Sequence, residues 1–217
     1  MAISWNEQNA SQEALNAWLH GFAFLASLPC GMMLIYLASK FRSELVFSCV
    51  VYGISLSALY LTSTLSHAIR EPVLRHRFRA WDQGLIYCLI AGTLTPIADG
   101  YLNGLMRISV LLLVWIAAAA GFYSKVFSKH RINSMTTVSY ILLGWVPSMI
   151  LFGFVSIPCF LMMAIGGILY TVGTIFLQHD HRRWYFHAIW HLMVVVASSC
   201  HFAAIIMFTV LQWDRTR

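Results

Sequence analysis

Ionisable side chains are rare within the long apolar stretches of this sequence, and their positions suggest a metal-binding or catalytic site. Seven of them fall inside or at the ends of such stretches: His20, His67, Asp82, Asp99, His187, His191 and His201. A titratable group inside a membrane-spanning segment is energetically costly, so each of these residues is a candidate functional residue.

Three of the histidines have the spacing and setting of metal ligands. His187 and His191 are four residues apart, which places both imidazoles on one face of a helix, one turn apart. With His67 from another helix they would supply three neutral imidazoles, and three such ligands plus one open position is the pattern of catalytic zinc. Ser63, one turn before His67, and Asp82 could hydrogen-bond a ligand imidazole or a water molecule on the metal.

A second interpretation of the same residues needs no metal. Intramembrane histidines also form hydrogen bonds with neighbouring helices, and spacing alone does not separate the two possibilities. His201 lies ten residues, so about 15 Å, beyond His191 and is predicted to be an interior hydrogen-bonding residue. We expect His20 to have a supporting or packing role, and Asp99 to be solvated near the opposite face.

The helices that position these residues are predicted from the high hydrophobic content of the sequence and the length of its apolar runs. Of 217 residues, 59% are hydrophobic and only 10% are charged, and the mean hydropathy is +0.72. A span needs about 20 mostly apolar residues. The sequence therefore predicts an all-α membrane protein, a bundle of seven transmembrane helices in a single domain, with spans at about 15–37, 43–67, 83–102, 106–126, 134–155, 157–177 and 185–211. A very tight hairpin at residues 156–158 would join the fifth and sixth spans.

The alternating direction of the helices brings the candidate ligands to one face. His67 ends the second span, Asp82 opens the third, and His187 and His191 open the seventh. Basic residues favour the cytoplasmic side. Nine lie in the loops on the side of the N-terminus (Arg70, Arg75, Arg77, Arg79, Lys125, Lys129, Arg131, Arg182, Arg183) and five on the other (Lys40, Arg42, Arg107, Arg215, Arg217). The prediction is a cytoplasmic N-terminus, with the histidines near the cytoplasmic face.

The net charge of +6 is accounted for by these loops. Anionic lipid headgroups are its natural counterions, so membrane lipids are the expected partners and no nucleic-acid partner is expected.

Several motifs resemble the hemolysin III family, which belongs with the progestin and adipoQ receptors. They are Asn-Ala-Trp-Leu-His-Gly at 16–21, Ser-Thr-Leu-Ser-His at 63–67, Trp-Asp-Gln at 81–83, Ala-Gly-Thr-Leu-Thr-Pro at 91–96, and His-Ala-Ile-Trp-His at 187–191. The resemblance extends in order over essentially the whole chain. Departures from the usual pattern occur at Ser66, Gln83 and Leu94, and they bear on substrate preference more than on metal binding.

The resemblance implies a seven-helix protein of the plasma membrane (the bacterial inner membrane) with a cytoplasmic N-terminus. It implies a zinc ion bound by His67, His187 and His191, and, by likeness to the receptor branch, Ser63 and Asp82 beside that ion. It also implies a role in membrane homeostasis.

Two classes of function are consistent with these residues. In the first, a zinc-activated water attacks the carbonyl of a lipid amide of the ceramide type, with Asp82 as general base. In the second, the zinc is structural, and the protein is a sensor or receptor of membrane state. An ion or proton carrier is a weaker third possibility, because Asp82 is the only membrane carboxylate expected near the cluster. Water access to the fourth zinc position discriminates between the first two.

Overall fold

The computed structural model describes residues 7–127 and 133–212. Within those residues the chain forms seven α-helices and no strand, which confirms the predicted seven-helix fold. The helices are α1 (Glu7–Phe41), α2 (Val46–Ala68), α3 (Pro72–Tyr101), α4 (Gly104–Val126), α5 (Asn133–Leu151), α6 (Ile157–Gln178) and α7 (Phe186–Ala203). Short 3₁₀ helices occupy Ser43–Leu45 and Asp180–Arg182, and a π-helical segment, Ala204–Val210, continues α7.

Most of these helices can cross a bilayer by length and composition. Among the described residues, five segments qualify: Ala10–Phe41, Ser43–Ala68, Gly104–Val126, Ile157–Gln178 and Phe186–Val210. Helix α5 contains a shorter apolar stretch, and α3 begins with charged turns. Large apolar side chains such as Phe47, Leu105 and Leu113 point outward, where lipid is their natural solvent. The protein is therefore a multi-pass membrane protein.

Helix α3 begins earlier than the sequence predicted. It starts at Pro72 rather than at residue 83, because Glu71 caps it: the carboxylate accepts hydrogen bonds from the backbone N–H groups of the second and third helical residues. Proline at the first helical position suits this arrangement, since its missing N–H would have no partner there. Arg75 and Arg79, predicted in a loop, consequently lie on helical turns near the end of α2.

The connection between α5 and α6 is also longer than predicted. Helix α5 ends at Leu151 instead of residue 155, and Ser156 caps α6 by accepting a hydrogen bond from the backbone N–H of Cys159 at 3.4 Å. Because the cap residue cannot itself be helical, the turn occupies residues 152–156, and the predicted hairpin at 156–158 is wrong by a few residues.

Among the five qualifying segments, the two that contain α2 and α7, which carry the candidate ligands, are the most enclosed. In each, 44% of the apolar window is buried, against 17–22% in the other three spans that qualify. Close packing depends on small residues: a Cβ atom at Gly92 of α3 would lie 2.6 Å from Ser55 Oγ of α2. The ligand-bearing helices are therefore held on several sides.

The orientation of the bundle in the membrane, with a cytoplasmic N-terminus, stays a prediction. Four of the basic residues that contributed to it lie outside the described residues: Lys129, Arg131, Arg215 and Arg217.

Candidate metal centre

Three histidine side chains from two helices converge at one end of the bundle. His67 is in the last turn of α2, and His187 and His191 are in the first two turns of α7. One ring nitrogen from each lies within 4.8 Å of the others, and His67 Nε2 is 3.0 Å from His191 Nε2. Tetrahedral zinc with bonds of about 2.0–2.1 Å holds its nitrogens about 3.3 Å apart. This separation lies between the 3.0 Å of the closest pair and the 4.8 Å limit for the whole group. The fold brings the three predicted ligands together.

The three rings pack edge to face and are shielded from the surroundings. Their centroids are 4.7–5.1 Å apart, with interplanar angles of 67–89°. His67 and His191 are buried, and His187 is half-buried. Within the described chain, these are the residues that form a group able to hold a metal ion. His20 packs against His191 with a centroid separation of 4.1 Å but does not belong to that group.

The Nδ1 atom of each ring has its own partner. His67 Nδ1 lies 2.6 Å from Glu13 Oε2, and His187 Nδ1 lies 3.2 Å from Asp180 Oδ2. The hydrogen bond with His187 lowers the pKa of the Asp180 carboxyl below its usual value. His191 Nδ1 lies 3.1 Å from the Nε2 atom of His20. The expected supporting role of His20 thus corresponds to a direct contact with His191.

Neither acidic partner was identified from the sequence. Glu13 lies just before the predicted first span, yet it is three residues before Asn16 and seven before His20. That spacing places the three side chains on one helical face and could have indicated the site. Asp180 lies in the 3₁₀ turn between α6 and α7, where the sequence carries no comparable signal.

Ser63 and Asp82 lie beside the histidines, as their positions suggested. Ser63 is one turn before His67 and fully buried, and its Oγ has no hydrogen-bond partner of ordinary geometry among the described residues. Asp82 faces Ser63, Ser66 and His187, and Ser66 Oγ is 3.5 Å from Asp82 Oδ2. Protein surrounds Asp82, but its side chain remains partly exposed to an internal cavity. The catalytic roles of both residues stay predictions.

Two of the other candidate residues, His201 and Asp99, lie away from the three histidines and form hydrogen bonds of their own. His201 Nε2 donates to the Met163 carbonyl of α6 at 3.1 Å, so the predicted interior hydrogen bond is confirmed. The expectation that Asp99 is merely solvated is wrong. Its carboxylate accepts from Ser48 Oγ at 2.5 Å and from Arg107 at 3.1 Å, because the start of α4 brings the arginine to the end of α3.

A large cavity extends from the histidines into the bundle. Its volume is about 950 Å³ and its walls are predominantly apolar. Glu13, Asp82 and the three histidines line one end, while Trp145 of α5, Phe160 of α6 and His201 of α7 line deeper parts. No pattern in the sequence predicted this space, because it depends on how the seven helices pack.

Comparison with known proteins agrees with the motifs. The family model described as Haemolysin-III related matches residues 8–202. Hemolysin-3 of Bacillus cereus is 35% identical over 207 residues, covering 94% of each chain. A hemolysin-3 homolog of Bacillus subtilis is 34% identical over 203 residues, covering 92% of this chain and 95% of that protein. The human monocyte to macrophage differentiation factor is 26% identical over 199 residues, 89% of this chain and 83% of that protein. The chain therefore belongs to the hemolysin III family of membrane proteins.

Proposed function

We propose that this protein binds zinc through His67, His187 and His191 and hydrolyses a lipid amide of the ceramide type, as part of membrane lipid homeostasis. One observation carries the proposal: three imidazoles meet at the end of an apolar-walled cavity that also exposes a carboxylate, Asp82.

The donor set fits zinc. Three imidazole nitrogens suit this ion, and the ligand group contains no carboxylate or thiolate. The cavity borders all three histidines, so the site adjoins space large enough for water and substrate. A zinc ion held there supplies a Lewis acid and lowers the pKa of a bound water to about 7.

The residues beside the site have roles that follow from their chemistry. Asp82 takes a proton from the attacking water on a carboxylate oxygen, while the water oxygen forms a bond to the amide carbon. The carbon–nitrogen bond then breaks, and the proton passes from Asp82 to the departing nitrogen. The products are a carboxylic acid and an amine. Ser63 Oγ, buried one turn from His67, is available to hydrogen-bond the reacting oxygen.

The cavity supports a lipid as the substrate. A volume of about 950 Å³ is at the upper end of small-molecule sites, and predominantly apolar walls favour hydrocarbon chains. Residues of α5 and α6 form part of the wall, and both helices present apolar side chains to the bilayer. A lipid can therefore keep its chains in apolar surroundings while its polar amide lies near Asp82.

The first experiment measures zinc. The detergent-purified protein, prepared without chelator, is analysed by plasma mass spectrometry beside a His187→Ala/His191→Ala variant. A His76→Ala variant is the control, because it removes an exposed histidine of α3 that lies outside the ligand group. We expect about one zinc per chain in the wild type and the control, and a loss of zinc in the first variant. Wild-type protein without zinc would refute the proposal.

The second experiment measures turnover of ceramides of several chain lengths in detergent or vesicles. We expect hydrolysis by the wild type and the histidine control, and hydrolysis slower by about 100-fold or more in Asp82→Asn with its zinc retained. Zinc without turnover of any lipid amide would instead support a structural ion that joins α2 to α7 in a sensor or receptor.

A further inference from the structure

We propose that Glu13 and Asp180 are positioning residues, which fix the rings of His67 and His187 so that both present Nε2 to the metal. The inference rests on the proposed zinc site. Both carboxylates lie outside the ligand group and contact a ligand histidine through its Nδ1 atom.

The contact between Glu13 and His67 settles which nitrogen of His67 faces the site. A carboxylate can only accept a hydrogen bond, so the proton lies on Nδ1, which is 2.6 Å from Glu13 Oε2. The neutral ring then carries its lone pair on Nε2, the atom that points toward His191 at 3.0 Å. Glu13 thus selects the form of His67 that can bind an ion on the cavity side.

Glu13 is itself held in place from α3. Its Oε1 atom forms ion pairs with Arg75 and with Arg79, the latter at 3.1 Å, which leaves Oε2 for His67. Two cations on one carboxylate oxygen restrict its rotation. The first turns of α3, stabilised by the Glu71 cap, therefore help to position a ligand on α2 through a residue of α1.

Asp180 makes the corresponding contact on the other ligand-bearing helix. Its Oδ2 atom lies 3.2 Å from His187 Nδ1, and the Asp180–Arg182 turn directly precedes α7. By the same reasoning His187 carries its proton on Nδ1 and its lone pair on Nε2. Carboxylate–histidine–metal arrangements of this kind orient the ring and raise its basicity, and loss of the carboxylate costs about 10- to 100-fold in metal affinity.

The test measures zinc affinity by competition with a chromophoric chelator on the full-length protein. We expect Glu13→Ala and Asp180→Ala each to weaken zinc binding by about 10- to 100-fold. Glu13→Gln and Asp180→Asn keep an oxygen that can accept from Nδ1, and we expect intermediate affinities. Arg77→Gln is the matched control, because it removes an exposed positive charge of α3 that forms no ion pair with Glu13, and we expect near wild-type affinity.

A second readout separates positioning from general stability. Cobalt(II) in place of zinc absorbs visible light, and its spectrum reports the geometry of the ligands. We expect the cobalt spectrum to change in Glu13→Ala and Asp180→Ala but not in Arg77→Gln. If an alanine variant fails to fold, as judged by its circular dichroism, the Gln and Asn variants provide the same comparison.

The outcomes are distinct. Wild-type zinc affinity and cobalt spectra in the Glu13 and Asp180 variants would overturn this inference and leave the zinc site standing. Equal losses in Glu13→Ala and Arg77→Gln would overturn it as well, because a general effect of altering charge at this end of the bundle would then account for the loss. A wild-type protein that binds neither metal would overturn the zinc site and this inference together.

Discussion

Replacing Gly166 by alanine tests the packing of α6 on α7 at the deep end of the cavity. A Cβ atom at this position would lie 2.5 Å from His201 Nε2 and Cδ2, and 3.0 Å from the Ala197 carbonyl oxygen. Non-bonded heavy atoms prefer separations of about 3.5–4.0 Å. The imidazole must therefore move by about an ångström, which breaks its 3.1 Å hydrogen bond to Met163.

The expected cost follows from two effects. Overpacking a tight interface typically costs about 1–3 kcal/mol, and losing a hydrogen bond costs about 1 kcal/mol. Together they lower the free energy of unfolding by about 2–4 kcal/mol. For a chain of this size each kcal/mol corresponds to about 2–4 °C in Tm. We therefore expect Gly166→Ala to melt roughly 5–15 °C below the wild type.

The assay is thermal unfolding in detergent, followed with a thiol-reactive dye that reports exposure of buried cysteines such as Cys49. Gly144→Ala is the control, because its Cβ would meet nothing nearer than Ile90 at 4.0 Å although it also lines the cavity. Zinc content should be unchanged in both variants. A Gly166→Ala protein that melts together with Gly144→Ala would show that the contact with His201 is not as close as described.

Three further predictions concern the site and its supports. Removing zinc with a chelator should lower the Tm of the wild type but not of His187→Ala/His191→Ala; equal shifts would point to an effect of the chelator elsewhere. Asp82→Asn should reduce lipid-amide turnover by about 100-fold or more with full zinc content, whereas Asp99→Asn, at the opposite end of the bundle, should leave turnover near wild type. Backbone hydrogen bonds lower the pKa of Glu71, so its stabilising contribution is present at neutral pH and is lost as pH falls. Glu71→Gln should accordingly melt below the wild type at pH 7, and the difference should close below about pH 4.

The fold was largely predictable from the sequence because lipid leaves few alternatives to helices. Long apolar runs identified the seven helices, and the errors occurred where water or headgroups replace hydrocarbon. The early start of α3 at Pro72 depends on the Glu71 cap, in a polar segment that hydropathy treats as a loop. The end of α5 at Leu151 depends on the cap at Ser156, inside an apolar run that hydropathy cannot divide.

The candidate ligands were predictable because helix geometry converts sequence spacing into position. His187 and His191 must share a face, and alternating helix directions bring His67 to their level. The contacts of Glu13 and Asp180 were not predicted, because each depends on packing across helices or on the path of a short loop. Likewise, the pairing of Asp99 with Arg107 depends on how α4 returns against α3.

Metal binding at this site would link several helices. This linkage affects which experiments can show whether the metal is catalytic or structural. Glu13 on α1, His67 on α2, Asp82 on α3 and His191 on α7 all border one small region. Free energy of binding at such a site is also free energy of folding, so a loss of stability on zinc removal is expected whether the ion is catalytic or structural. A change that keeps the ion and removes the proton acceptor separates the two when turnover is measured beside stability. Asp82→Asn is that change, because Asp82 lies beside the histidines but outside the group able to hold the metal.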